Sequence, residues 1–367
     1  MSVRVLLALL LCAGAAQAQP QSIWPPRPLP LAAQIGDYRQ LECPKAVPEP
    51  YTGALQIDSK YDQSDASRST LSGKVSARSK ETHARLAEYT QRLAQFADYL
   101  VQAKNPRQAG TALACLDQWL QAWAEAGAIE SRDASKTGLA ARKWALAAIA
   151  STLLKSQALS GGRPALSSAQ RAWLQRLAEL VMDDYRPRQA ADFAYFNNHD
   201  YWAGWAVAAS GMLLGRDDYV AWGERNFRRG LAQISDSPHG PYAYLPNELG
   251  RGQLAANYTH YAMVPLLLLA ESSRYNGPGL SAEDDRRLQR LADFAALSLL
   301  DPQRLAELRG QPQHEVPPYK LVWLLPFLDL YPQHALALRL QASAGQAATA
   351  YGQLGGRLAP LYPHVAR

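Results

Sequence analysis

Beyond Glu81 the apolar residues recur at intervals of three and four, and this spacing constrains the fold more than any other feature of the chain. Leu86, Tyr89, Leu93, Phe96 and Leu100 fall on one stripe of a helix. Leu116, Trp119, Leu120 and Trp123 repeat the pattern, and Leu139, Leu146, Ile149 and Leu153 make a third helix. Similar segments follow near 167–185, 200–214, 217–233, 251–273, 283–299 and 318–344, separated by Gly-, Pro- or Asn-rich breaks. Sustained period-two alternation, the mark of half-buried strands, is hard to find anywhere. The expected class is all-α. Many medium helices joined by short breaks, with nine tryptophans in one large domain, suit a ring of helical hairpins around a cleft. A helical repeat solenoid is the competing layout, and no period of about 34 or 40 residues supports it.

The N-terminal region is of a different kind. Residues 1–18 carry one early charge at Arg4, an apolar run from Val5 to Cys12, and a small-residue end at Ala16-Gln17-Ala18. That is the pattern of a secretory signal peptide with an A-x-A cleavage site, which implies export and a periplasmic location. From Pro20 to Pro50 the chain holds prolines 20, 25, 26, 28, 30, 44, 48 and 50, so residues 19–55 should form an extended arm that wraps the domain. Past the signal, Cys43 and Cys115 remain in a compartment that favours oxidation, which suggests one disulfide tying the arm to a helix; two unpaired thiols are the alternative. The longest later apolar run, Ala262–Ala270, is interrupted by Pro265 and is far short of the roughly 20 residues of a membrane span. The net charge of +6 is spread out rather than gathered in Lys/Arg runs. That argues against a nucleic-acid partner and permits a basic groove for a polyanion.

Two regions stand out as candidates for chemistry. Ser59-Lys60-Tyr61-Asp62 leads into a Ser-rich, apolar-poor stretch to about Lys80, and so long a loop inside a compact domain is a candidate lid. Asn197-Asn198-His199-Asp200-Tyr201-Trp202 is the densest unusual group, at what should be the start of a helix; a capped helix with a structural histidine is the plain reading. A second cluster runs from Tyr244 through Pro246-Asn247-Glu248 to Arg251, Tyr258, His260 and Tyr261. Arg251 and Tyr258 are seven apart, so on one helix they would share a face.

The motifs of zinc proteases, calcium loops and G-x-S-x-G nucleophile elbows are absent, and no metal is expected. Asp200 and Glu248 can be nominated as the carboxylate pair of an inverting glycosidase. The remaining side chains suit β-elimination on a uronate better. That reaction removes the C5 proton beside a carboxylate whose charge must first be neutralised, here by donors such as Arg251, Asn198 and His199. In β-D-mannuronate the C5 proton and the O4 leaving group lie on the same side of the ring, so Tyr258 alone can serve as base and then acid. α-L-Guluronate presents them on opposite faces and needs a second group, for which His199 is the candidate base.

In order along the chain, Cys43-Pro44 through Pro50-Tyr51-Thr52-Gly53, Ser59-Lys60-Tyr61, Arg142-Lys143-Trp144-Ala145-Leu146, Asn197-Asn198-His199 with Tyr201-Trp202, and Leu245-Pro246-Asn247-Glu248-Leu249 with Arg251, Gln253, Tyr258 and Tyr261 resemble the alginate lyases of polysaccharide lyase family 5, the poly(β-D-mannuronate) lyases. A weaker echo runs from Tyr319-Lys320 to Tyr331. The resemblance implies an incomplete (α/α) toroid over residues 56–367, no required cofactor, an acidic polysaccharide (alginate or polymannuronate) as partner, and unsaturated 4-deoxy uronate products. It implies catalytic roles for Asn198, His199, Arg251 and Tyr258, substrate contacts at Ser59, Lys60, Tyr61, Lys136 and Thr137, and a Cys43–Cys115 disulfide, and Trp202 beside the Asn-His pair is a further candidate substrate contact. Association with a polymer export complex also follows for an alginate producer. Lys136 stands where the family has histidine, and Gly252 and Leu254 thin the basic run after Arg251, which leaves the choice of uronan open. A lyase on another uronan such as polyglucuronate, and a non-catalytic periplasmic polysaccharide-binding protein, are the competing readings.

Overall fold

The computed structural model describes residues 19–365; the expected signal peptide, 1–18, lies outside the described residues. Eleven helices follow one another: α1 (Ala77–Gln102), α2 (Pro106–Glu125), α3 (Lys136–Ser160), α4 (Ser168–Tyr185), α5 (Asn198–Leu214), α6 (Asp217–Ala232), the single turn α7 (Pro246–Leu249), α8 (Ala255–Asn276), α9 (Ala282–Leu300), α10 (Leu324–Leu330) and α11 (Ala335–Ala344). Extended pairing among the described residues amounts to two ribbons of two-residue strands, β1 (Ser235–Asp236) with β2 (Ala243–Tyr244) and β3 (Ala350–Tyr351) with β4 (Gly356–Arg357), and two isolated bridges, Leu55 with Ala134 and Tyr61 with Leu71.

Local chemistry starts and stops these helices. Ser135 caps α3 by accepting the Gly138 amide, and Gly161 ends it in the left-handed region at φ 72°. α4, α5 and α9 open on reciprocal capping boxes, Ser167 with Gln170, Asn197 with Asp200, and Ser281 with Asp284. Where the sequence spacing places a helix from 251, the chain instead makes a turn, and α8 begins at Ala255. The expected 318–344 helix is three pieces, a 3-10 turn (Pro318–Trp323), α10 and α11, and Pro332 after Tyr331 is what ends α10 before α11.

The helices form two concentric layers. α1, α3, α5 and α8 pack side by side as an inner wall, and α2, α4, α6 and α9 return along the outside as the second members of hairpins. Burial follows this order: α3, α5 and α8 bury residues around nearly the whole circumference, whereas α1, α2, α6 and α9 each bury a stripe. Close approach is built from small residues. A Cβ at Gly223 of α6 would meet Ala208 Cβ at 2.7 Å, so α5 and α6 can touch only through glycine there. The ring is incomplete: between α8 and α1 the wall is supplied by the C-terminal segment, whose 318–323 turn packs on α8 and whose 352–354 turn packs on α3 and α1.

The Pro-rich arm lies across this ring. Arg27 and Leu29 donate backbone N–H groups to the carbonyls of Ala158 and Leu159 at the end of α3. Trp24 is buried edge-on against Trp205 and donates to the Tyr362 hydroxyl. Further along, Trp119 and Trp123 of α2 donate to the carbonyls of Lys45 and Pro48, and Cys43 is disulfide-bonded to Cys115 with Cα atoms 4.6 Å apart. The unpaired-thiol alternative does not hold. No described helix is long and apolar enough to cross a membrane.

Candidate active site

The loop between residues 58 and 76 closes over one mouth of the ring and is held by its own polar groups. Asp65 accepts the amides of Ser67, Ser69 and Thr70, each at 2.9 Å, and Tyr61 pairs with Leu71 across the base of the loop. The Ser67 hydroxyl first, then the Thr70 and Ser69 amides, hold the Asp65 carboxyl far below its ordinary range. The loop is latched to the ring at two points. Arg251 donates to the Arg68 carbonyl at 2.7 Å, and the Tyr258 hydroxyl bonds the Tyr61 hydroxyl at 2.8 Å.

Tyr258 projects from the first turn of α8 and is only 9% exposed. The Arg251 guanidinium lies 3.7 Å from its ring centroid and 5.4 Å from that of Tyr61. The two residues therefore meet, but not by sharing a helix face: Arg251 sits in the turn before α8 and folds back over the ring. Lys320 adds a second cation, 5.4 Å from the Tyr258 ring and 4.8 Å from that of Tyr261, with its ammonium donating to Asn257. Burial pushes the Tyr258 phenol up, and the neighbouring Arg251 charge opposes that push. Burial, with help from Lys60 and Arg251, brings the Lys320 ammonium down to about 8.

On the facing wall, the start of α5 presents Asn198 and His199. Asn198 is fully buried, and its backbone N–H and its Nδ2 both donate to Glu248 of α7, at 2.7 and 3.0 Å. Its Oδ1 has no partner, so the atom it offers is an acceptor and not the donor expected from the sequence. Burial raises the Glu248 carboxyl to about 7, against the lowering effect of the Asn198 bonds. His199 is half-buried, with Nδ1 3.1 Å from the Lys143 amine of α3 and its ring beside Trp144. Burial first, then the Lys143 charge, hold its imidazole well below the usual histidine range and therefore neutral. Asp200 is spent elsewhere: it pairs with Arg188 and accepts the Asn197 amide, which removes it as the acid of a hydrolase pair.

The expected substrate contacts divide. Lys60 is exposed on the lid, 5.0 Å from the Tyr61 ring, and the Ser59 hydroxyl accepts from the Tyr61 amide and from Gln63. Lys136 and Thr137 open α3, exposed and half-exposed, two turns before Lys143, so Lys136 shares that helix face. Trp202 is a correction: it is 0% exposed, packed between Tyr261 and Tyr351 with ring centroids at 5.3 and 6.1 Å, and supports the floor rather than offering a face to sugar. Among the described residues, four of the seven buried side-chain polar atoms without a partner gather here, namely Trp144 Nε1, Asn198 Oδ1, Trp202 Nε1 and Arg251 Nε. Such clustering marks a place built to meet polar groups of something else. Among the described residues no cluster of His, Cys, Asp and Glu is gathered that could hold a metal ion.

Sequence reasoning left Lys143, Lys320 and Tyr261 without roles. The signal for Lys143 was present, because Arg142-Lys143 interrupts a helix otherwise rich in Ala and Leu, and both side chains are 0% exposed.

A family model described as alginate lyase matches residues 56–305, which is most of the ring and all of the site just described except Lys320 and Tyr351. The chain belongs to the alginate lyase family. This alginate lyase family member is 32% identical to the alginate lyase of Pseudomonas fluorescens strain SBW25 over 90% of this chain and 87% of that protein. It is 31% identical to that of Pseudomonas putida strain GB-1 over 97% and 95%. The fold of the family member is shared with alginate lyase A1-III of Sphingomonas species A1 (TM-score 0.65, 19% identity, 95% of this chain and 91% of that one). A histidine-to-alanine variant of A1-III complexed with a tetrasaccharide superposes with TM-score 0.67 at 20% identity, over 90% and 88% of the two chains.

Proposed function

We propose that this chain is a periplasmic lyase that cleaves alginate at β-D-mannuronate units by syn β-elimination, leaving unsaturated 4-deoxy uronate ends. The observation that carries the reading is the Tyr258 ring held under the Arg251 guanidinium, in the same cleft as the neutral His199 and the orphan oxygen of Asn198. Membership of the alginate lyase family supplies the substrate class, and the 1–18 leader supports export.

In this reading the uronate carboxylate is met by Arg251 and by His199, whose positive or donor groups offset the charge that builds on it as C5 loses its proton. Asn198 turns its amide N–H groups to Glu248 and offers Oδ1, so it orients a substrate hydroxyl or a protonated carboxyl. Tyr258, as phenolate under Arg251, takes the C5 proton and returns it to O4 on the same face as the bond to the leaving sugar breaks. Tyr61 holds the phenol in the free protein and must exchange that bond for one to substrate. Lys60, Lys320 and Lys136 spread positive charge along the path of a polyanion.

The test is incubation of purified protein with polymannuronate, polyguluronate and polyglucuronate, following the ultraviolet absorbance of the new C4=C5 double bond. Polymannuronate should respond first and most; silence on every uronan would remove the lyase reading, and reducing ends without absorbance would restore a hydrolase. A preference for polyglucuronate would shift the substrate while keeping the chemistry, and Lys136 with the thinned run at Gly252 and Leu254 is where such a change would originate.

A further inference from the structure

We infer that Lys143 is a positioning residue that fixes the tautomer of His199, placing the imidazole proton on Nε2 and so making His199 a donor to the substrate and never a base. This rests on the lyase reading of the cleft and goes on to name a residue, and a restriction, that the reading does not contain.

Lys143 lies two turns into α3 and is 0% exposed. A buried lysine usually has a carboxylate partner. Among the described residues none is within ion-pair distance of this one. Its amine instead lies 3.1 Å from His199 Nδ1 and 3.5 Å from the His199 carbonyl oxygen, so both of its polar neighbours belong to one residue. Two aromatic faces enclose the rest, Trp144 at 4.5 Å and Tyr185 at 5.4 Å. The charged groups facing the pair are Asp200 from α5, Arg188 from the 186–189 turn, and Arg251 with Arg68 from the cleft side.

The direction of the Lys143–His199 bond follows from basicity. An aliphatic amine is about four pKa units more basic than imidazole, so a proton shared by the pair resides on nitrogen Nζ, which then has no lone pair and can only donate. The carbonyl takes one N–H and Nδ1 takes another. Burial lowers the affinity of both groups for that proton, and an arriving uronate carboxylate restores it by adding negative charge beside them. With Nδ1 accepting, the only proton on the ring sits on Nε2, the nitrogen left for the cleft. A donor there can neutralise a carboxylate and cannot abstract C5–H. Guluronate units, which present the two reacting positions on opposite faces, then lack a base on the second face. Lys143 thereby contributes to restricting the site to mannuronate.

The experiment uses full-length Tyr258→Phe protein with isotope-labelled histidine and reads the two ring-nitrogen resonances of His199, identified by their loss in a His199→Gln variant, with and without saturating mannuronate oligosaccharide. The tautomer is read without turnover, so its outcome is independent of whether polymannuronate is cleaved. The inference expects a protonated Nε2 and a bare Nδ1 with oligosaccharide bound; a proton on Nδ1 overturns it. In the otherwise wild-type enzyme, Lys143→Met should lower kcat about 10- to 100-fold with KM changed less than about threefold, the range for losing a group that orients a reacting side chain. Lys143→Gln keeps an N–H donor and should recover a large part of the loss. Full activity in the Met variant, or equal losses in Met and Gln, overturns the positioning role. Should the Met variant not fold, the resonances of the Lys143-containing protein decide the matter alone.

Discussion

Removing the guanidinium of Arg251 tests the electrostatic core of the proposal. Its Cζ stands 3.7 Å from the Tyr258 ring centroid, and Tyr258 is 9% exposed, so solvent screens the pair poorly. Two unit charges about 4 Å apart at an effective dielectric of about 20 interact by about 4 kcal/mol, which corresponds to roughly three pKa units on the phenol. Burial already raises Tyr258, and Arg251 is the first force opposing it, so the sign is fixed: without Arg251 the phenolate becomes rarer at every pH. Arg251→Ala should therefore lower kcat/KM for polymannuronate about 100- to 1000-fold near neutrality. The ascending limb of its pH–rate profile should move to higher pH by up to about three units. Arg251→Lys keeps the charge but loses the planar fork and the bond to the Arg68 carbonyl, and should fall between, about 10-fold down. Initial rates of double-bond absorbance across pH for the three proteins give the answer. An Arg251→Ala enzyme with lowered rate but an unmoved pH profile would refute the phenolate argument and leave Arg251 only a substrate anchor.

Glu248→Gln should flatten the pH dependence of stability. The folded carboxyl titrates near 7 against an ordinary 4.5, so its protonated form contributes stability that is full below about 4.5 and is lost as pH rises through 7. The loss is roughly 3 kcal/mol, read as a smaller fall in Tm between pH 5 and pH 8 in the variant. Glu271, raised to about 8 by burial, leaves a residual slope of the same sign. Cys115→Ser opens a 72-residue separation to Cys43 and should cost about 2–4 kcal/mol by denaturant unfolding with kcat nearly unchanged, since the bond ties the arm to α2 and not to the cleft. Asp200→Asn should lower Tm by breaking a buried pair with Arg188 while the products stay unsaturated; a switch to saturated reducing ends would contradict the role assigned to Asp200.

Much of the fold was legible because helices are local objects. Leu86, Tyr89, Leu93 and Phe96 lie three and four apart in sequence and therefore on one buried stripe of α1, whatever the rest of the chain does. The Pro-rich arm was legible for a similar reason, since proline restricts its own φ. Boundaries were less so: the turn at 251–254 and the break at Tyr331-Pro332 both interrupt apolar patterns that continue in the sequence.

The site was legible only as a set of residue types. Asn198, His199, Arg251 and Tyr258 were nominated from their chemistry and from resemblance, and the ring brings them to one cleft. How they meet belongs to the tertiary structure alone. Spacing put Arg251 and Tyr258 on one helix; packing puts Arg251 in a turn and folds it over the ring. Trp202, an aromatic beside a reactive pair, reads as a sugar platform until Tyr261 and Tyr351 are seen to enclose it. The Asn198 amide points its N–H groups at Glu248, 50 residues away, and the His199 Nδ1 meets Lys143, 56 residues away. The sequence by itself determined which segments are helical and which groups were on hand for acid–base work. Which atom of each group faces the cleft was decided by contacts between residues far apart in the chain, because a hydrogen bond fixes direction only once both partners have been brought to one place.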